Sequence, residues 1–164
     1  MDISIQERQR ADRRDLLAIL RESFSGIYLW HARRILLGPA AVLAAESSRT
    51  PIGLVIMKML APGVGYVYYL AISPAERRRG TGGFLLDRCL GYLDSHGARA
   101  VLASVTEGNL PSERLVASRG FHICRFRDLA RRFGAAAAFR LWMGMTVAPG
   151  ERVFMRLMEG PRSI

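Results

Sequence analysis

Two cysteines in 164 residues make no disulfide framework and no ligand set for zinc. Cys89 and Cys124 form no motif, and both are expected to be buried thiols. No hydrophobic run is long enough to span a bilayer, and the apolar stretch 134–149 is short and carries Arg140. The opening residues, MDISIQERQRADRRD, are polar and charged and offer no secretory signal, so a cytoplasmic location is expected. Lysine is nearly missing: Lys58 is the only one among 24 basic residues. Arginine in such excess reflects a GC-rich coding bias as readily as a function. No repeat, low-complexity linker or charge block divides the chain, and a single domain over 1–164 is expected.

With 50% hydrophobic and 23% charged residues, the composition is that of a globular protein and excludes a disordered or fibrous one. The net charge of +10 favours anionic partners: phosphates, nucleic acid or an acidic membrane surface. Composition alone does not choose among them.

Apolar spacing orders the elements. Residues 2–7 alternate as a short strand, and 12–24 carry apolar side chains at helical spacing with Asp12 as N-cap. A second helix spans 27–37 and stops at Gly38-Pro39. A hairpin follows, 41–46 and 52–60, and then the β-rich run GYVYYLAI, 65–72. A helix from Gly82 to about Gly97 leads to a strand over 100–105 and a helix over 111–118. The remaining expectations are a strand over 121–126, one unusually apolar helix over 128–145 and a final strand over 152–158. The sum is a mixed α/β domain.

The junction after Ile72 carries the chemistry. A strand runs into Arg77-Arg78-Arg79-Gly80-Thr81-Gly82-Gly83 and straight into a helix. Glycines let the backbone approach a ligand closely, and the first N–H groups of the helix point outward as donors at the positive end of its dipole. Arginines add charge-assisted bonds, so a phosphate or pyrophosphate suits the loop. The spacing is neither a Walker A loop nor G-x-G-x-x-G.

The pattern L-x-I-x-P-x-x-R-x-x-G-x-G, Leu70 to Gly82, resembles motif A of the GNAT superfamily of acyl-CoA N-acyltransferases. A second stretch, Val105 to Phe121, resembles that family's V-x-x-x-N-x-x-A-x-x-L-Y-x-x-x-G-F through Asn109, Leu115, Gly120 and Phe121, with Ser112 at the small-residue position. The resemblance implies the GNAT fold, a single mixed sheet of about seven strands flanked by helices, here with an extra helix before the last strand. It implies acetyl-CoA as co-substrate and no metal. Its pyrophosphate would meet the backbone of Arg77, Arg78, Arg79, Gly80, Thr81, Gly82 and Gly83. Leu70, Ala71 and Ile72 would meet the acetyl carbonyl and pantetheine, and Asn109 and Ser112 the pantetheine arm.

The departures bear on mechanism. The family's general acid is a tyrosine where this chain has Val116, and valine carries no proton to give. Ser112 and Tyr69 are substitutes for it, alongside solvent. Where relatives have a glutamate as base, six residues before Ile72, this chain has Tyr66. By strand alternation Tyr66, Tyr68, Leu70 and Ile72 share a face, so Tyr66 and Tyr68 either line the acceptor site or pack in a buried sheet, the second being favoured. Glu107 and Glu46 are candidate proton relays, or else solvated loop carboxylates. His122 and His31 are candidates for the base, histidine being the side chain suited to that role near neutral pH, or are satisfied or exposed histidines.

The apolar segment around 129–147 either packs on the sheet or on a second subunit, a homodimer contact being the expected form, or lids the acceptor cleft. It could also offer Arg125, Arg127, Arg131, Arg132 and Arg140, beside Phe139 and Trp142, to a membrane or acidic partner. Three functions are then in play. The first is an N-acetyltransferase moving acetyl from acetyl-CoA to an unidentified primary amine of a small molecule or protein. The second is an acyl-CoA-binding regulatory or catalytically degenerate relative. The third is a nucleic-acid binder, for which charge is the only argument and no motif speaks. The first is the expectation, with no specific nucleic-acid partner.

Overall fold

A computed structural model describes residues 3–159. Seven strands form one sheet in the order β1-β2-β3-β4-β5-β7-β6. They are β1 (Ile3–Glu7), β2 (Ala41–Ser47), β3 (Thr50–Ala61), β4 (Val64–Ile72), β5 (Ala100–Thr106), β6 (His122–Ile123) and β7 (Glu151–Leu157). The helices are α1 (Leu17–Ser23), α2 (Gly26–Leu36), α3 (Thr81–Ser95), α4 (Leu110–Ser118), α5 (Phe126–Phe133) and α6 (Ala135–Met145). This is the mixed α/β domain that the spacing of apolar residues predicts, with the single sheet of seven strands flanked by helices that the resemblance implies. Residue 2, where the first strand was expected to begin, lies outside the described residues.

The chain divides into two compact units. One runs up to Lys58 and includes Val67–Tyr92; the other comprises Met59–Tyr66 and the chain from Leu93 onward.

In the first unit β1, β2 and β3 are antiparallel neighbours. The β2–β3 hairpin turns on two residues, Ser48 and Arg49, at φ 50° and 66°. That conformation matches the twist of the strands it joins, although neither residue is a glycine. A bulge between Ala45 and Glu46 accommodates Pro51, which has no N–H to give to a ladder. Leu16, Ile19 and Leu20 pack with Ala32 and Leu36 of α2 over Val42, Ala44, Leu54, Ile56 and Ala71. Each large aliphatic side chain so buried contributes about 1.5–3 kcal/mol. Along α3, Leu85, Leu86, Cys89, Leu90 and Leu93 are buried and Asp87 and Arg88 exposed, the amphipathic pattern of a helix laid on a sheet.

One expectation fails here. Asp12 caps no α-helix: residues 10–12 and 14–16 are separate 3₁₀ turns, and α1 begins only at Leu17. Buried Arg13 lies between them. Its guanidinium donates to the carbonyls of Arg8 (2.9 Å), Leu36 (2.9 Å) and Gly38 (3.2 Å), satisfying acceptors that the end of α2 leaves open.

In the second unit β5 pairs antiparallel with β7, and β7 with β6. Asn109 caps α4 by accepting the Ser112 N–H at 3.4 Å, with Pro111 in the first turn. The helix closes at Gly120 (φ 78°), where the Phe121 N–H returns to the Val116 carbonyl at 3.2 Å. Two expectations change. The strand foreseen over 121–126 is only His122–Ile123: the Cys124 N–H makes one further bond to β7, to the Val153 carbonyl at 2.8 Å, and the Arg125 N–H then turns to the Asp128 carboxylate at 2.8 Å, starting α5. The single helix foreseen over 128–145 is two helices. Gly134, at φ 85° and ψ 154°, occupies backbone space open essentially to glycine alone and breaks the run between α5 and α6.

Candidate active site

The end of β4 sits under a close approach. A Cβ on Gly53 would stand 2.5 Å from the Ile72 Cδ1 and 3.1 Å from the Ala71 carbonyl oxygen, so glycine lets β3 lie against Ala71 and Ile72. Ala71 and Ile72 are buried and Leu70 half-buried. Beyond them the three arginines have three different fates. Arg77 turns back: its Nε donates to the Ile72 carbonyl at 3.0 Å and its Nη2 reaches the Ser23 hydroxyl at 3.5 Å. Arg79 pairs with Glu76 at 3.2 Å. Arg78 is exposed, has no hydrogen-bond or ion-pair partner among the described residues, and takes φ 61°.

Gly80 (φ 84°) then turns the chain into α3, whose first bond runs from the Phe84 N–H to the Gly80 carbonyl at 3.0 Å. Helix geometry leaves the N–H groups of Thr81, Gly82 and Gly83 without intrahelical acceptors. Thr81 is 2% exposed, and its Oγ1 has no hydrogen-bond partner. A buried hydroxyl without a partner costs about 1–3 kcal/mol. An oxyanion at the helix start would satisfy it together with the backbone donors. The loop therefore fits a phosphate or pyrophosphate group.

A second feature of the same unit lies on α2. The His31 Nδ1 and the Tyr69 hydroxyl are 2.7 Å apart, and the His31 ring lies 5.7 Å from that of Tyr69 and 6.4 Å from that of Tyr68. Two consecutive side chains of β4 thus reach one ring of α2, and Phe24 braces Tyr69 edge-on at 5.1 Å. Burial, and then the charge of Arg34, hold the His31 pKa below its ordinary value of 6.5. His31 is therefore neutral at pH 7. Burial raises the Tyr68 pKa, which keeps its phenol protonated.

Tyr68 also lines an open cleft of about 500 Å³, together with Arg10, Arg34, Lys58 and residues 35 and 37–40. No carboxylate lines it. Arg34 lies over the Trp30 ring at 5.6 Å, and Arg10 donates to the Leu37 carbonyl at 2.7 Å.

The other sequence-derived candidates have surroundings of their own. Tyr66 is 2% exposed, and its hydroxyl bonds the Ser104 Oγ at 2.7 Å and meets the Met145 carbonyl at 3.3 Å, which supports the packing reading. Glu107 is exposed and ion-paired with Arg152, which also faces Glu113 at 3.8 Å. Glu46 is not the solvated carboxylate its strand-end position suggests: it is buried and paired with Arg8. Asn109 is exposed and Ser112 half-buried, and the bond between them is the helix cap. Val116, where a tyrosine was expected from the resemblance, is buried. His122 is exposed on β6. Cys89 and Cys124 are free and buried, as expected, with thiols pushed up to about 12 and about 11 by burial.

Sequence reasoning missed the pairing of His31 with Tyr69, the basic cleft and the role of Arg13. The partners lie tens of residues apart, on different elements, and no local spacing marks them. Among the described residues no cluster of His, Cys, Asp or Glu could hold a metal ion, and no helix is long and apolar enough to cross a membrane.

Comparison with known proteins places these features in a context. A model of the acetyltransferase (GNAT) family matches residues 8–121. L-2,4-diaminobutyric acid acetyltransferase of Nocardia farcinica (strain IFM 10152) is 31% identical over 99 residues, 59% of this chain and 46% of that protein. The match thus spans less than half of that relative's length. The crystal structure of the PaiA N-acetyltransferase of Thermoplasma acidophilum in complex with coenzyme A superposes with a TM-score of 0.72 at 16% identity, covering 96% of this chain and 100% of that one. The ribosomal-protein-S18-alanine N-acetyltransferase of Escherichia coli gives 0.71 at 14% identity and covers 99% of each chain. At such identities the two structures speak for the fold.

Proposed function

The chain belongs to the acetyltransferase (GNAT) family, and from that premise we propose that it is an N-acetyltransferase, moving acetyl from acetyl-CoA to a primary amine by direct attack in a ternary complex. The observation that carries this reading is the buried, partnerless Thr81 hydroxyl at the start of α3, beside backbone donors that helix geometry leaves open. The loop from Arg77 to Gly83 would hold the coenzyme A pyrophosphate, largely through backbone N–H groups. Leu70–Ile72 would lie along the pantetheine, with Asn109 and Ser112 as further contacts to it. A relative that acetylates diaminobutyric acid and a structural neighbour that binds coenzyme A lend support.

In this reading the neutral amine nitrogen attacks the thioester carbonyl, and backbone N–H groups near Leu70–Ile72 stabilise the oxyanion. The C–S bond breaks as the tetrahedral intermediate collapses. His31 accepts the proton that the amine sheds, in the tautomer whose Nδ1–H donates to the Tyr69 oxygen and whose Nε2 carries the lone pair. Val116 has no proton to give, so solvent protonates the departing thiolate, a tolerable leaving group for a thiol of pKa about 8.5. Much of the acceleration then comes from positioning.

Calorimetric titration with acetyl-CoA tests the reading, with Gly82→Glu as the control. A glutamate in the first turn of α3 favours the helix dipole, so the fold survives while the new carboxylate repels phosphate. Micromolar binding that the variant loses, followed by acetylation in an amine screen, is the expected result. No binding by the parent protein would overturn the proposal. Binding without turnover of any amine would leave a catalytically degenerate member of the family.

A further inference from the structure

Three cations converge on the cleft beside Tyr68, and none of the described residues forms an ion pair with them. Arg10, Arg34 and Lys58 line it, and no carboxylate does. Two other arginines of the same unit are matched: Arg8 holds Glu46 and Asp15, and Arg79 holds Glu76. Lys58 is the chain's only lysine, and it stands at this cleft. The hydrogen bond from Arg10 to the Leu37 carbonyl and the stacking of Arg34 on Trp30 hold two of the cations in place, which lowers the entropy lost when an anion binds.

Tyr68 links the cleft to the ring of His31, 6.4 Å away between centroids. Arg34 follows His31 by three residues on α2, one turn along the same face. A molecule seated here with its negative end among the cations could reach the imidazole with its other end.

We propose that the cleft of Arg10, Arg34, Lys58 and Tyr68 is a carboxylate-binding subsite, and that the amine acceptor is a small amino acid or related amine carrying a carboxylate. The carboxylate oxygens accept from the guanidinium and ammonium groups and from the Tyr68 hydroxyl, leaving the amine toward His31 and Tyr69. The cleft stands on its own charge and volume; that its occupant is the acceptor rests on the transferase reading above.

The test pairs each carboxylated amine with its counterpart lacking only the carboxylate: L-2,4-diaminobutyrate with 1,3-diaminopropane, L-lysine with cadaverine, and L-tyrosine with tyramine. Affinity for each is read by calorimetry in the presence of coenzyme A, and acetyl transfer is read separately. At least one carboxylated member should bind about tenfold or more tightly than its counterpart, as charge-assisted bonds to a carboxylate require. Lys58→Gln and Arg34→Gln should erase most of that preference while acetyl-CoA binds as before. Lys58 is exposed, so its replacement leaves the fold undisturbed. Absence of any preference for the carboxylate, or a preference that persists in both variants, would overturn the subsite. A preference that the variants erase in a protein that does not bind acetyl-CoA would keep the subsite and remove the transferase reading.

Discussion

The loop from Arg77 to Gly83 and the wall formed by α2 against Tyr68 and Tyr69 belong to one compact unit, yet they work with different parts of the chain. The loop offers backbone. Its arginines turn to Ile72, to Glu76 and to solvent, while the open N–H groups and the buried Thr81 hydroxyl remain at the helix start. The wall offers side chains: an imidazole held 2.7 Å from a phenol and, in the cleft beside it, three cations with no ion-pair partner among the described residues. A backbone site needs glycine and a helix start at fixed spacing, and so writes a local pattern. A side-chain site needs only that its members meet in space.

The sharpest way to break this comparison is to disable each region and ask whether the other notices. His31→Gln should lower kcat about a hundredfold, as loss of general acid–base help does, while acetyl-CoA affinity stays within a factor of about two. Gly82→Glu should do the reverse, costing about a hundredfold in acetyl-CoA affinity, a loss of about 2.7 kcal/mol. Equal damage to both parameters in both variants would mean that the two regions are not separate devices.

Acid gives the second blow. His31 accepts a proton only when neutral, and burial and Arg34 hold its pKa below 6.5. The acidic limb of kcat/KM should therefore fall below that value, with activity full above it and lost as pH drops through the lowered pKa. Arg34→Gln removes a like charge and should move the limb upward. A limb unmoved by both Arg34→Gln and His31→Gln would take His31 out of the reaction.

What the sequence makes legible follows the same division. The seven strands, the order of helices and the loop from Arg77 to Gly83 all arise from local pattern: alternation, helical spacing, glycine punctuation. The errors lie where a distant or conformational requirement overrides that pattern. Asp12 reads as a cap, but Arg13 is drawn inward to the carbonyls of Leu36 and Gly38, and the chain coils into 3₁₀ turns to let it reach. Gly134 precedes four alanines and reads as a tolerated glycine in a helix, but its φ of 85° breaks the segment. The pairing of His31 with Tyr69 spans 38 residues, beyond any window of periodicity.

Thr81→Val is a milder probe of the loop. The Oγ1 has no partner, so an isosteric methyl removes a desolvated polar atom at no loss of protein hydrogen bonding, and stability should hold or rise by up to about 1 kcal/mol. Acetyl-CoA affinity, read by the same titration, should fall by about tenfold, the worth of one hydrogen bond to a charged group. A variant that loses stability and keeps its affinity would mark the hydroxyl as structural.

The smallest expected effect comes from Arg78→Gly, and it separates backbone from side chain inside the loop itself. Arg78 sits at φ 61°, where a side chain costs about 1 kcal/mol that glycine does not incur. Glycine's greater freedom in the unfolded chain returns about 0.5–1 kcal/mol of that gain, so thermal stability should shift by less than about 0.5 kcal/mol. If the loop binds through its backbone, acetyl-CoA affinity at physiological salt falls only a few-fold and the salt dependence of binding becomes shallower, since one guanidinium has left the surface. If affinity instead collapses as far as in Gly82→Glu, the arginine side chain is the ligand, and the loop binds in the same manner as the wall of α2.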